Sequence, residues 1–192
     1  MSTSPAQRER RSRMLDSAIR LATDGGYDAV QMREVADGAG VALGTLYRYF
    51  PSKVHLLVAA LANQFEAAEA ITASRPITGA NAHERVMKIL GRTTVALQKQ
   101  PQLTEALVRS FMFADASVLE EIERVGNSLT RMIARAIAGS PDHNQATVEE
   151  AAITRVIADV WLSTLVSWAN GRSAADEVEK SMDVAVSLLL RD

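Results

Sequence analysis

The sequence predicts an all-α protein, because nearly every segment carries apolar residues at helical spacing and none shows a convincing alternating β pattern. Only 10 glycines and 5 prolines occur in 192 residues, and most of them stand between the periodic segments. The composition is that of a globular chain, with 47% apolar and 23% charged residues. We therefore expect about nine helices: three short ones in an N-terminal head, a long connector, and a C-terminal helical bundle.

The limits of the helices are predicted from the spacing of apolar residues and from the glycines and prolines that interrupt it. We predict them over these ranges: 7–24, 32–39, 43–50, 52–73, 82–99, 102–114, 116–138, 146–170 and 175–190. Gly25-Gly26 should end the first helix and Gly40 the second, since glycine adopts the left-handed conformation that a C-cap needs. Pro51 stops the third helix, and Ser52 is a suitable N-cap for the connector. The later helices are separated at these residues: Pro101, Asp115, Gly139, Pro141 and Gly171.

The residue inventory excludes several classes of protein. Cysteine is absent, which removes disulfide scaffolds, thiolate zinc sites and cysteine nucleophiles. His55, His83 and His143 are too scattered to suggest a metal site, and no glycine-rich phosphate loop or nucleophile elbow is visible. No stretch of about 18 apolar residues stands out, so we expect no membrane span. We expect neither an enzyme nor a metal or cofactor.

The most informative stretch is 31–50, QMREVADGAGVALGTLYRYF. It reads as two short helices joined by a tight turn, which is the layout of a helix–turn–helix. Ala36 is small enough for close helix packing, a glycine in the turn at 38–41 suits a positive φ, and Val41 fills the hinge. The second helix would then lie in the major groove of DNA. Spacing alone leaves an ordinary helical hairpin as the alternative.

The second helix of this pair carries polar and aromatic residues on one face. Thr45, Tyr47, Arg48 and Tyr49 crowd into about one and a half turns, while Leu46 and Phe50 should point inward. Tyrosine hydroxyls and the following Lys53 are suitable donors to phosphate oxygens. The alternative is that the tyrosines pack against the connector helix.

The segment GVALGTLYRYFPSKVHLL resembles the DNA-binding signature of TetR-type transcriptional regulators, and the similarity extends over roughly residues 10–60. The resemblance implies a three-helix head, a ligand-binding and dimerisation body, and inverted-repeat operator DNA as partner. It implies DNA contacts by the following residues: Arg33, Leu43, Gly44, Thr45, Tyr47, Tyr49 and Lys53. Arg48 is added to them from its place on the polar face of the second helix. Gln31 and Ala42 replace the usual capping Ser or Thr, and Leu43 replaces a polar residue, so Leu43 would read a thymine methyl by apolar contact.

Two further features agree with a DNA-binding head. Residues 1–55 carry a net charge of +2, whereas residues 56–192 carry −4. Arg10 and Arg11 lie in an arginine-rich arm at 7–13 that is positioned to reach phosphates or a minor groove, the alternative being a frayed terminus. We therefore place a DNA-binding domain with a basic arm at 1–55 and a ligand-binding and dimerisation domain at 56–192.

The body also shows a narrower resemblance. The stretches PQLTEALVRSFMFADAS and RVIADVWLSTLVSWANG are similar to KstR-type repressors of actinobacterial sterol catabolism. The resemblance implies that a coenzyme A thioester of a steroid acid binds in a long apolar cavity and releases the repressor from operator DNA. The predicted ligand-binding residues are Phe65, Met87, Leu90, Thr94, Leu97, Leu103, Leu107, Phe111, Trp161, Leu165 and Trp168. For any one of them, plain core packing is the alternative.

The last two helices carry apolar residues on more than one face, as expected when one side packs on the body and the other on a second copy. The expected protein is thus a homodimeric, cytoplasmic, ligand-responsive repressor of sterol or lipid catabolism genes. Two rivals are a TetR-like regulator of another apolar ligand, such as a fatty acyl-CoA, and a dimeric carrier of apolar ligands that has lost DNA binding.

Overall fold

The computed structural model describes residues 4–74 and 77–191, and these residues form α-helices with one 3-10 turn and no strand. The helices are α1 Pro5–Ala29, α2 Met32–Ala39, α3 Leu43–Tyr49, α4 Lys53–Ala73, α5 Ala82–Gln98, α6 Pro101–Met112, α7 Leu119–Ala138, α8 Val148–Ala169 and α9 Ala175–Leu189. The 3-10 turn Ala116–Val118 leads into α7. The predicted all-α fold is confirmed, with each helix within a few residues of its expected place.

Helix α1 is longer at both ends than the sequence predicts. The Ser4 side chain accepts a hydrogen bond from the Gln7 N–H, and the Gln7 side chain accepts one from the Ser4 N–H, which makes a capping box with Pro5 in the first turn. The arginine-rich segment 7–13 is therefore the first part of a helix, as the predicted range 7–24 has it, and the DNA contact predicted for it stays a prediction. Gly26 has φ of 68° and kinks α1, after which one more turn continues to Ala29.

The chain divides into two compact units. The first unit comprises 1–62 and 100–122, and the second comprises 63–99 and 123–192. Residues 100–122 join the first unit because α6 packs along α1. This structural division differs from the predicted boundary after residue 55, which stays a prediction about function.

The first unit buries one side of its helix–turn–helix. Leu46 and Phe50 are 0% and 1% exposed, which confirms that they point inward. They belong to a core of buried apolar side chains: Met14, Leu15, Ala18, Ala22, Leu46, Phe50, Leu57, Leu103 and Leu107. Burial of this face leaves the opposite face of α3 to the solvent.

In the second unit, α9 packs against both α5 and α8. Its core includes these buried side chains: Leu90, Met132, Ile133, Ile157, Trp161, Met182 and Val186. An ionic cluster joins the end of α4 to α7, where Glu69 accepts hydrogen bonds from Arg131 at 2.7 Å and from Arg135 at 3.1 Å. The cluster fixes charged groups along one side of this unit.

Helix α8 is long and largely apolar. It contains an 18-residue window with mean hydropathy 1.2, so by length and composition alone it could cross a membrane, although charged residues interrupt its apolar sequence. Arg155 and Asp159 lie within the helix, while Ile157, Trp161 and Leu165 are buried in the second unit. Only 22% of the window is buried, so α8 packs one face on the second unit and leaves another face to the solvent.

Candidate nucleic-acid interface

The turn between α2 and α3 is built by its sequence. Gly40 adopts φ 65° and ψ 42°, and the N–H groups of Gly40 and Val41 donate to the carbonyls of Asp37 and Ala36 at 3.1 and 3.0 Å. These two bonds form a Schellman motif, which ends α2 sharply. As expected from the departures at Gln31 and Ala42, neither residue makes a side-chain capping bond. The turn therefore depends on Gly40.

The outer face of α3 presents the predicted DNA-contacting residues to solvent. Leu43 is 36% exposed and Tyr47 45% exposed, and Gly44 and Arg48 are exposed as well. Thr45 is half-buried on the same helix. Helix α3 therefore offers an apolar group, a phenol and a guanidinium on one accessible face, which is what base and phosphate contacts require.

An open cleft of about 350 Å³ lies beside α3, lined by Gln7, Arg10, Arg48 and Tyr49. It brings the first turns of α1 against the end of α3, so Arg10 and Arg48 face one space. Because no acidic residue is among these four, the cleft favours an anion such as a backbone phosphate. Arg10, Arg48 and Tyr49 were each predicted from the sequence as DNA contacts. Gln7 was not, although it lies in the capping box of α1.

Arg11 and Tyr49 also contact the buried aromatic at the end of α3. The Arg11 guanidinium lies 5.3 Å from the Phe50 ring centroid, and the Tyr49 ring lies 6.4 Å from it. Arg11 and Tyr49 are half-buried as a result. Arg33, at the start of α2, is exposed. The DNA contacts predicted for these residues stay predictions.

Lys53 differs from the exposed residues of α3, because its ammonium is already engaged. Its Nζ donates to the Tyr27 carbonyl at 3.0 Å and lies 4.0 Å from the centroid of the Tyr27 ring. Burial lowers the pKa of Lys53, the neighbouring Asp28 raises it, and Arg109 lowers it. A phosphate contact from Lys53 stays a prediction.

The predicted ligand-binding residues fall into both compact units. Leu103, Leu107 and Phe111 belong to the first unit. The others belong to the second: Phe65, Met87, Leu90, Thr94, Leu97, Trp161, Leu165 and Trp168.

Three of these residues are in direct contact. The Trp161 Nε1–H donates to the Thr94 hydroxyl at 2.9 Å, and the Phe65 and Trp161 rings meet edge to face at 6.0 Å between centroids. Phe65, Thr94 and Trp161 are each buried, so they form an aromatic centre in the second unit. Leu90 and Leu165 are buried too, whereas Met87, Leu97 and Trp168 are half-buried.

Comparison with known proteins supports a regulatory role. Residues 14–60 match the family described as "Bacterial regulatory proteins, tetR family", and residues 79–189 match "Tetracyclin repressor-like, C-terminal domain". The chain is 50% identical over 190 residues to the HTH-type transcriptional repressor KstR of Rhodococcus jostii, covering 99% of this chain and 87% of that protein. It is 48% identical over 189 residues to KstR of Mycobacterium tuberculosis, covering 98% and 84%.

Solved structures share the fold. A TetR transcriptional regulator from a Rhodococcus species has a TM-score of 0.87 at 33% identity, covering 97% of this chain and 98% of that one. Thermus thermophilus FadR, a TetR-family repressor solved in complex with lauroyl-CoA, has a TM-score of 0.73 at 19% identity, covering 95% and 96%. The chain therefore belongs to the TetR family of bacterial transcriptional regulators, as a KstR-like repressor and not an enzyme.

Proposed function

We propose that this repressor acts as a homodimer on inverted-repeat operator DNA, controls sterol or lipid catabolism genes, and is released by a steroid-acid CoA thioester. The identity of 50% over nearly the whole chain to a KstR repressor is the observation that carries the proposal. Because the operator is chromosomal DNA, the protein works in the cytoplasm. A carrier without DNA binding is disfavoured by the exposed face of α3, since Leu43 and Tyr47 have no role inside the protein.

The dimer would be formed by α8 and α9. Val156 on α8 is 46% exposed, and Val184 and Leu188 on α9 are 59% and 56% exposed. Exposed apolar side chains on two adjacent helices are suited to a four-helix interface with a second copy. A two-fold dimer presents two recognition helices to successive major grooves, about 34–36 Å apart or at a wider spacing.

The dimer is tested by sedimentation. Val184→Glu with Leu188→Glu should give a monomer at micromolar concentration, because carboxylates would be buried in the interface. Ile71→Glu is the matched control, since Ile71 is also 59% exposed but lies on α4. Dimers that persist in the double variant would rule out this surface.

The DNA contact is tested by fluorescence anisotropy at several salt concentrations, with the DNA that lies upstream of the gene for this protein. Arg10→Ala and Arg48→Ala should weaken binding and each lower the salt slope by about 0.9 per lost phosphate contact. Arg172→Ala is the control, because Arg172 is exposed in the second unit. An unchanged slope in both head variants would exclude the cleft as a phosphate site.

The inducer class is tested by thermal shift with steroid acids, their CoA thioesters and straight-chain acyl-CoAs. The buried aromatic centre of Phe65 and Trp161 makes the surroundings in the second unit apolar, which supports an apolar ligand. The lauroyl-CoA bound by Thermus FadR shows that the fold accepts an acyl-CoA in that protein. We expect the steroid thioesters to stabilise the protein most and to weaken operator binding reciprocally. Stronger stabilisation by straight-chain acyl-CoAs would replace the sterol assignment with a fatty-acid one.

A further inference from the structure

The first turn of α3 exposes side chains that cannot form hydrogen bonds. Ala42, Leu43 and Gly44 are all exposed, and their side chains contain only apolar atoms or, at Gly44, no heavy atom. The first hydroxyl along this helix belongs to Thr45, which is half-buried. Leu43 is the only large side chain of the exposed three, so it forms the outer surface of the turn.

The space around Leu43 is open to an approaching duplex. Beyond its chain neighbours and the helix backbone, no atom of the described residues lies within 4 Å of the place that a Cβ of Gly44 would occupy. Tyr47 lies four positions after Leu43, hence on the same side of α3, and is exposed as well. Leu43 and the Tyr47 ring therefore make an accessible apolar strip about one helical turn long.

Leu43 keeps apolar surface that folding does not bury. Helix α3 is anchored from its opposite face by Leu46 and Phe50, which are buried, whereas 36% of Leu43 stays in contact with water. Apolar surface that is left in water gains free energy only when something covers it. When a helix–turn–helix binds DNA, its recognition helix lies in the major groove, so the edges of the bases can cover Leu43 there.

The major groove offers one apolar group to such a side chain. Each base pair shows hydrogen-bond donors or acceptors there, and thymine adds its C5 methyl group. Against any other base edge, Leu43 would remove water from a donor or acceptor without replacing the hydrogen bond, which is unfavourable. Against the methyl group both surfaces are apolar, and their burial is favourable. The chemistry of Leu43 therefore suits it to discriminate between bases by a methyl group.

We propose that Leu43 is a specificity-determining residue that reads the C5 methyl group of one pyrimidine in each operator half-site. The inference deepens the proposed operator binding and rests on it. Because the leucine side chain contacts the methyl group and no hydrogen-bonding atom, 5-methylcytosine supplies the same contact as thymine. At this contact, a methylated cytosine replaces thymine and an unmethylated cytosine does not.

Deoxyuridine scanning isolates the methyl group. Each thymine of the operator upstream of the gene is replaced in turn by deoxyuridine, which lacks only the C5 methyl, and the affinity is measured by fluorescence anisotropy. For the wild type, we expect at least one position in each half-site where the affinity falls about fourfold, because one methyl group is no longer buried. In Leu43→Ala, deoxyuridine at that position should leave the affinity unchanged, because the side chain that covers the methyl group is gone.

Methylated cytosine supplies the second readout. At the position found by scanning, the wild type should bind a 5-methylcytosine–guanine pair about fourfold more tightly than the unmethylated pair, and Leu43→Ala should bind the two equally. Val95→Ala is the matched control, because Val95 is an exposed apolar residue on α5 of the second unit. This control should keep the wild-type response to every DNA probe.

The possible results separate the inference from the proposed function. A methyl effect of the same size in the wild type and Leu43→Ala would belong to another side chain or to DNA shape, and it would overturn the inference. A wild type that binds the operator but responds to no deoxyuridine would overturn it too. A wild type that does not bind the upstream DNA would refute the proposed function and the inference with it.

A second variant covers the case in which Leu43→Ala does not fold, as judged by its thermal transition. Leu43→Ser also lacks the apolar branch of leucine, and serine is well suited to the start of a helix. The same comparison then decides: loss of the methyl effect in Leu43→Ser supports the inference, and a retained effect refutes it.

Discussion

Replacing Glu69 by glutamine tests the ionic cluster of the second unit. Glu69 is the shared carboxylate of Arg131 and Arg135, whose side chains are 39% and 6% exposed. The variant leaves the buried Arg135 guanidinium without its counter-charge, although Asn144 still accepts a hydrogen bond from it at 3.0 Å. Breaking a buried pair on one side costs about 3–5 kcal/mol, and we expect the low end, about 3 kcal/mol, because Glu69 is itself 14% exposed.

The assay is urea unfolding at one fixed protein concentration, since dimer formation makes the free energy of unfolding concentration-dependent. Glu66→Gln is the matched control: Glu66 pairs with Arg124 at 2.7 Å, but the two side chains are 41% and 27% exposed, so about 0.5–1 kcal/mol should be lost. If Glu69→Gln lowers the free energy of unfolding no more than Glu66→Gln does, the buried ion pair between Glu69 and Arg135 does not stabilise the protein as we expect.

The pH dependence of the free energy of unfolding gives a second test of the Glu69 cluster. The hydrogen bond from Arg131 holds the pKa of Glu69 below its ordinary value of 4.5. A carboxyl whose pKa is lowered by folding stabilises the protein fully above its unfolded-state pKa and loses that contribution as the pH falls through its folded-state pKa. The difference in unfolding free energy between the wild type and Glu69→Gln should therefore be constant at neutral pH and shrink below about pH 4.5. A difference that grows on acidification would contradict the reasoning.

Two further substitutions test the aromatic centre and the turn. Thr94→Val removes the acceptor of the buried Trp161 indole N–H and should lower the free energy of unfolding in urea by about 1–3 kcal/mol. Thr94→Ser keeps the hydroxyl and should lose much less. Equal losses in the two variants would mean that the hydrogen bond from Trp161 does not contribute to stability. Gly40→Ala places a residue with a Cβ at φ 65°, so it should lower the free energy of unfolding by about 1–2 kcal/mol in thermal unfolding and weaken operator binding. Gly126→Ala is the control in the interior of α7, where alanine should stabilise the protein by up to about 1 kcal/mol.

The helices of the head could be predicted closely because their limits depend on local backbone chemistry. Gly40 ends α2 through its own left-handed φ, and Pro51 lies just after α3. The start of α1 was predicted two residues late, because the capping box of Ser4 and Gln7 was not recognised. The inward placement of Leu46 and Phe50 followed from helical spacing alone.

The function of single side chains could be predicted less well. Thr94 was expected to orient a ligand, and its hydroxyl accepts a hydrogen bond from Trp161, 67 residues away in the sequence. Lys53 has the position of a phosphate contact, yet its ammonium lies on Tyr27. Helical spacing shows which face of a helix a residue occupies, but a partner from another helix decides what the residue binds.

By itself, the sequence determined the order of the helices, the accessible face of α3 and the family. The first two depend on the spacing of apolar residues and on helix-breaking residues, and the family is identified by one continuous DNA-binding motif. Only the tertiary structure decided that Arg10 and Arg48 share a cleft, and that Lys53 and Arg109 meet at Tyr27. The physical reason is that side-chain partners are chosen by packing between helices, and no periodicity along one helix encodes the register of its neighbour.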